Sequence, residues 1–194
     1  MSVKLAVFAS GAGSNAKKMI GYFKEKNTAS VSLIVCNNPN AGVIPIAKKE
    51  GVELMMIERE RFLKGDGYLS ELQKRGIDLI VLAGFLWKVP ATLIQAYPKK
   101  IINIHPALLP KFGGKGMYGA KVHAAVIEAG EKESGITIHY VDEIYDHGET
   151  IFQATCNISA YDTPGSLAQK VHELEHRYFS EVVEKIILKN KYLP

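Results

Sequence analysis

Cysteine is scarce in this 194-residue chain, which has only Cys36 and Cys156, far apart and each inside a β-rich run. They read as two buried thiols in a reducing compartment, and a disulfide framework is excluded. Long apolar runs are missing as well. The longest, Leu79 to Trp87, has nine residues, whereas a hydrocarbon span needs about 20, so no helix that crosses a membrane is expected. Charge of one sign is not concentrated anywhere: 24 Lys and Arg against 20 Asp and Glu give a formal +4 with no basic block. That distribution argues against nucleic-acid binding, which needs a basic patch or stripe, and suits a small anionic substrate. Met1-Ser2-Val3-Lys4 leads straight into a strand-like run without a basic, apolar and small-residue leader, so a cytoplasmic location is expected.

What is present is the composition of one globular domain, 47% hydrophobic and 23% charged. Strand-like runs at 4–9, 30–36, 53–57, 77–83 and 100–104 alternate with a helical segment marked by Met19, Ile20 and Phe23 and with others at about 41–50, 66–75 and 90–97. The strands are continuous Val, Ile and Leu runs, which predicts burial on both faces and a parallel sheet. After residue 105 a glycine-rich stretch (Gly113, Gly114, Gly116, Gly119) precedes a helix near 121–129. Strands at 134–141 and 150–158 follow, joined closely enough to be antiparallel. Thr163-Pro164 supplies an N-cap and a first-turn proline for a long last helix with Leu167, Val171, Leu174, Tyr178, Val182 and Ile186 as its apolar stripe. The expected fold is α/β, a doubly wound, mainly parallel, Rossmann-like sheet with an antiparallel C-terminal portion and a long C-terminal helix.

The first loop, Ser10-Gly11-Ala12-Gly13-Ser14-Asn15, places glycines and small donors between a strand and a helix, where phosphate binds helix N–H groups. A dinucleotide site also needs an acidic residue at the end of the second strand, and this chain has Asn37-Asn38 there. What survives is a phosphate cradle rather than an NAD site. His172-Glu173-Leu174-Glu175-His176 matches the zinc-protease pattern H-E-x-x-H. With Leu167 at zero and about 100° per residue, His172 falls near 140° and His176 near 180°, off the apolar stripe. No third ligand lies nearby, so no metal is expected. Glu175, at the edge of the buried face, is the more interesting carboxylate.

Asn103 and His105 lie two apart on one strand and share a face, in a run otherwise made of isoleucine. Polar groups in such a strand are costly unless used. With Asp146 of Asp146-His147-Gly148 they supply an amide, an imidazole and a carboxylate, a set suited to acyl transfer.

Asn103-Ile104-His105-Pro106-Ala107-Leu108-Leu109-Pro110, followed about 40 residues on by Asp146-His147-Gly148, resembles the hallmark of the 10-formyltetrahydrofolate-dependent formyltransferases. Gly11 to Asn15, Val81 to Phe85 and Gly135 to Asp142 are similar to the branch acting on glycinamide ribonucleotide. The resemblance implies 10-formyltetrahydrofolate as cosubstrate, no metal, and small-molecule partners for a monomer or homodimer. It covers nearly the whole chain and implies a single formyltransferase domain over 1–194, with a phosphate-binding half at 1–100 and a catalytic, folate-binding half at 101–194. Related branches carry an additional RNA-binding barrel or regulatory domain, for which no segment is expected here.

Position by position, it implies Asn103, His105 and Asp146 as catalytic, with His105 kept protonated by its carboxylate. It assigns Gly13, Ser14, Asn15, Ala16, Lys17 and Glu175 to the ribonucleotide. Leu86, Trp87, Lys88, Val89, Asn103, Asp142, Glu143, Ile144 and Tyr145 fall to the folate. An arginine of the family near the folate has Gly65 at its expected position, and the segment 111–119 is expected to form a flap over the site.

Overall fold

The computed structural model describes residues 2–64 and 67–191. Gly65, the position of the expected arginine, lies outside them. Strands β1 (Val3–Ala9), β2 (Ala29–Cys36), β3 (Glu53–Met56), β4 (Leu79–Leu82) and β5 (Ile101–His105) are parallel. Strands β6 (Glu133–Tyr140) and β7 (Thr150–Asn157) add on antiparallel, and the seven form one sheet in the order β3-β2-β1-β4-β5-β6-β7. Helices α1 (Ser14–Lys26), α2 (Val43–Glu50), α3 (Arg59–Leu63), α4 (Leu69–Lys74), α5 (Ala91–Ala96), α6 (Ala120–Glu128) and α7 (Pro164–Lys191) cover the two faces.

The period-two geometry of a strand explains why β1 can be apolar throughout. Leu5, Val7 and Ala9 pack with Met19, Phe23 and Val171 of α1 and α7, while Ala6 and Phe8 point to the other face, toward Phe62, Leu72 and Leu93. Burial on both faces is realised in β1 and β4 but not in β3, where Glu53 and Met56 are exposed. The reason is position: β3 is an edge strand covered by little more than its neighbour.

The helical segment predicted at about 66–75 is α4, and α3 is an additional short helix before it, whose Phe62 plugs the second core beside Phe8 and Phe85. In α7 Leu167, Val171, Val182 and Ile186 are buried as predicted, but the stripe is broader and shifted in its middle. Leu174 and Tyr178 are only partly buried, whereas Phe179 and Val183 are fully inside, with Glu175 buried between Val171 and Phe179. Thr163 caps α7 as expected, its Oγ1 accepting the Ser166 amide at 3.2 Å. Cys36 is buried but Cys156 is half-buried, and both are free. They stand in β2 and β7, five strand spacings or about 24 Å apart.

Among the described residues no helix is long and apolar enough to cross a membrane. The strand order reverses between β1 and β4, so the chain leaves these two strands in opposite directions and opens a crevice at their carboxyl ends.

The loop leaving β5 is fixed by Thr137, fully buried on β6. Its hydroxyl donates to the Ala107 carbonyl at 2.7 Å and accepts from the Leu109 amide at 3.0 Å and Gln153 Nε2 at 2.9 Å. Thr137→Val keeps the shape and strands these partners. It is expected to cost about 2–3 kcal/mol, read as a lower urea midpoint at unchanged slope.

Candidate active site

The crevice is a cleft of about 620 Å³, within the usual range for a small-molecule site. The loops after β1, β4 and β5, the glycine-rich segment 114–119, the loop 141–146 and one face of α7 line it.

At its centre Asn103 and His139 face each other in register across β5 and β6. His139 Nδ1 donates to the Tyr140 carbonyl at 2.8 Å, so its Nε2 accepts from Asn103 Nδ2 at 3.0 Å. This fixes the amide of Asn103 with its nitrogen toward His139, and the second N–H of that nitrogen remains for a ligand. His105, almost wholly buried, donates through Nε2 to the Phe112 carbonyl at 2.8 Å and turns Nδ1 toward Asp146 Oδ2 at 3.5 Å. Asp146 Oδ2 accepts the Gly114 amide at 2.8 Å, and Oδ1 lies 3.7 Å from His139 Nε2. The predicted trio therefore converges, and His139 joins it as a fourth member to which sequence reasoning gave no role. The signal was available: His139 is a polar residue in an apolar strand, as Asn103 and His105 are.

The charge state of His105 corrects the expectation. Burial pushes its ring below the usual value, outweighing the upward pull of Asp146 and of the Phe112 carbonyl. Burial thus disfavours the cationic ring, although both of its nitrogens face acceptors, the Phe112 carbonyl and Asp146 Oδ2. Burial alone would raise Asp146, but contact with His139 and His105 and the Gly114 amide hold it below the usual carboxylate value. Asp146 and Phe112 both adopt left-handed backbone, with φ of 54° and 55°. This geometry is uncommon outside glycine, and here it aims one carboxylate and one carbonyl at the same imidazole.

The first turn of α1 forms one end of the cleft. Gly13 is left-handed at φ 76°, and a Cβ there would lie 2.7 Å from Val43, so only glycine fits. The Lys17 amide already bonds the Gly13 carbonyl at 2.9 Å, leaving the preceding amides of α1 facing outward. Ser14 and Asn15 reach α7: Ser14 Oγ lies 2.9 Å from His172 Nε2, and Asn15 Nδ2 donates to Glu175 Oε2 at 2.8 Å. Two predicted ribonucleotide residues do not line this cleft. Ala16 is buried in the core because its helix position faces the sheet, and Lys17 projects into a neighbouring groove between α1 and α7. Conversely His172, set aside with the H-E-x-x-H pattern, lines the cleft, as does the buried His123 of α6. Among the described residues no cluster of three or more His, Cys, Asp or Glu is arranged to hold a metal.

The other end is apolar and open. Leu86, Ile144 and Tyr145 are exposed at its mouth beside Trp87 and Val89, and Lys88 Nζ sits 5.8 Å from the Tyr145 ring centroid. Exposed apolar side chains gathered at one rim mark a binding surface. Ser10 Oγ accepts the Leu86 amide at 3.0 Å, and Asp142 Oδ1 accepts the Ile144 amide at 2.8 Å, which fixes both loops. Glu143 departs from its predicted place: it does not line the cleft, and its carboxylate turns outward to Gln95 Nε2 at 3.2 Å. The segment 111–119 is tied to the site through the Phe112 carbonyl and the Gly114 amide.

An α/β crevice that gathers an amide, imidazoles and a carboxylate beside the open N-terminus of a helix is the equipment of a group transferase. Residues 3–183 match the family described as Formyl transferase, and the chain belongs to that family. It is 43% identical over 94% of its length to the phosphoribosylglycinamide formyltransferase, chloroplastic, of Arabidopsis thaliana, spanning 65% of that protein. The chain thus covers less than two thirds of the length of its plant relatives. To the phosphoribosylglycinamide formyltransferase of Bacillus subtilis it is 38% identical, over 95% of this chain and 94% of that one. It shares its fold with the crystal structure of glycinamide ribonucleotide transformylase 1 from Geobacillus kaustophilus, at TM-score 0.88 and 35% identity over 96% of this chain and all of that one.

Replacing Asp146 by Asn removes the interaction that raises the His105 ring. The imidazole is then expected to titrate at still lower pH, followed by NMR of its ring protons. An unchanged or higher midpoint contradicts the contact.

Proposed function

We propose that this chain transfers the formyl group of 10-formyltetrahydrofolate to the glycyl amine of 5'-phosphoribosylglycinamide, giving formylglycinamide ribonucleotide and tetrahydrofolate, a step of purine biosynthesis. The convergence of Asn103, His105, Asp146 and His139 midway between a phosphate-binding helix terminus and an apolar slot carries this reading. The relatives named above, matched along nearly the whole chain, support it. The phosphate lies against Gly13, Ser14 and Asn15, with Glu175 toward the ribose and glycyl part. The folate lies along Leu86 to Val89 and Asp142 to Tyr145.

The amine attacks the formyl carbon, and the carbonyl electrons move onto oxygen. The free N–H of Asn103 donates to that oxyanion, an amide held in place before reaction and therefore effective. The neutral His105 and the Asp146 carboxylate receive the proton lost by the amine, so the ring is cationic only while the intermediate exists. That proton passes to N10 as tetrahydrofolate leaves. This order differs from one in which His105 enters protonated, and it follows from the burial of the ring. Residues 1–194 work as one domain with a phosphate half and a catalytic half, as a monomer or homodimer in the cytoplasm.

Mixing the protein with 10-formyltetrahydrofolate and glycinamide ribonucleotide is expected to release tetrahydrofolate, followed by absorbance, only when the ribonucleotide is present. Release without it would identify hydrolysis instead. Asp146→Asn is expected to lower kcat by roughly 10² to 10⁴ and Asn103→Ala by roughly 10² to 10³, with the ribonucleotide still bound.

A further inference from the structure

Ser14, His172, Glu175 and Asn15 form one connected set of hydrogen bonds between the first turn of α1 and the middle of α7. His172 Nδ1 meets Glu175 Oε2 at 2.9 Å, and that same oxygen accepts Asn15 Nδ2 at 2.8 Å. Glu175 is only 9% exposed, and an acceptor-only carboxylate in that position fixes the proton of the ring on Nδ1. Everything then turns on Nε2, which stands 2.9 Å from Ser14 Oγ. In a neutral ring Nε2 accepts, so the Ser14 hydroxyl points its single proton at His172 and offers lone pairs to the cleft. In a cationic ring Nε2 donates, Ser14 Oγ accepts, and the hydroxyl proton is free to turn into the cleft.

We propose that His172 sets the polarity of the Ser14 hydroxyl, and that the cleft's affinity for a phosphate monoester therefore rides on the charge of this one imidazole. The inference rests on the reading of Gly13 to Asn15 as the phosphate cradle. His172 is a positioning residue that acts through Ser14.

The groups facing it are few. Glu175 bonds it directly, the His176 ring lies 4.2 Å away, His123 approaches from α6, and Lys18 of α1 acts on the neighbouring His176. Glu175 dominates, and its hydrogen bond raises the His172 ring above the usual histidine value. The cationic form therefore persists to higher pH than in a free imidazole and is lost as pH rises through the raised value. A phosphate monoester loses its second proton near pH 6 and is almost fully dianionic above about pH 7. Across the alkaline range the protein, not the ligand, changes charge.

Ribose 5-phosphate is the probe, since it lacks the substrate amine that itself titrates near pH 8. Calorimetry from pH 7 to 9 is expected to show its Kd rising for the unmodified protein, by up to about tenfold, the worth of one charge-assisted hydrogen bond. His172→Gln, at a half-exposed side chain, is expected to bind more weakly at pH 7, by up to about tenfold, with a flat profile. A flat profile in the unmodified protein, an undiminished slope in His172→Gln, or no binding of ribose 5-phosphate overturns the inference. Formyl transfer with a flat binding profile defeats this inference alone, whereas a sloped profile without formyl transfer defeats the proposed activity alone.

Discussion

The buried carboxylate of Asp146 is the interaction on which the centre of this molecule depends. Taken out of water, a carboxylate must be met by hydrogen bonds and positive or polarisable neighbours, or it takes up a proton. Here the Gly114 amide, His105 and His139 meet it together. Those three groups come from a glycine-rich loop, a parallel strand and an antiparallel strand. Satisfying one charge thereby brings together parts of the chain that no local propensity would align.

The two ends of the cleft use opposite physics. At one, the first turn of α1 presents unpaired amides and small polar side chains, suited to an anion. At the other, Leu86, Ile144 and Tyr145 stand exposed around a slot backed by Trp87 and Phe85, suited to a flat, largely apolar ring system. Between them lies the polar cluster. A reaction joining an anionic molecule to an aromatic one has its bond-making centre fixed midway by the site itself, without either ligand crossing the other's territory.

Much of this was legible in the sequence. The strand runs, the change of pattern after residue 105 and the Thr163-Pro164 start of α7 all carry local signals that the fold obeys. Asn103, His105 and Asp146 stood out because polar residues in an apolar strand and a tight turn are costly without a use. What was hidden depended on three-dimensional balance. The middle of the α7 stripe is hidden because the burial of Glu175 relies on Asn15 across a helix interface and on His172 one turn earlier on the same helix. The charge of His105 is a contest between burial and a carboxylate, and one-dimensional spacing says nothing about which prevails. Ala16, Lys17 and Glu143 share their segments with true lining residues, but a helix or loop shows only some of its side chains to a given cleft. His172 was judged as a metal ligand, and that question concealed its contact with Ser14.

The stretch from Phe112 to Gly114 touches both His105 and Asp146, its carbonyl on the ring and its amide on the carboxylate. Between them Gly113 has no room for a side chain, because a Cβ would come within 2.4 Å of Leu109 and 3.2 Å of Asp146. A change of length that keeps both contacts must therefore fall outside 112–114, where it can reshape the cleft's rim while this three-residue bridge stays in place.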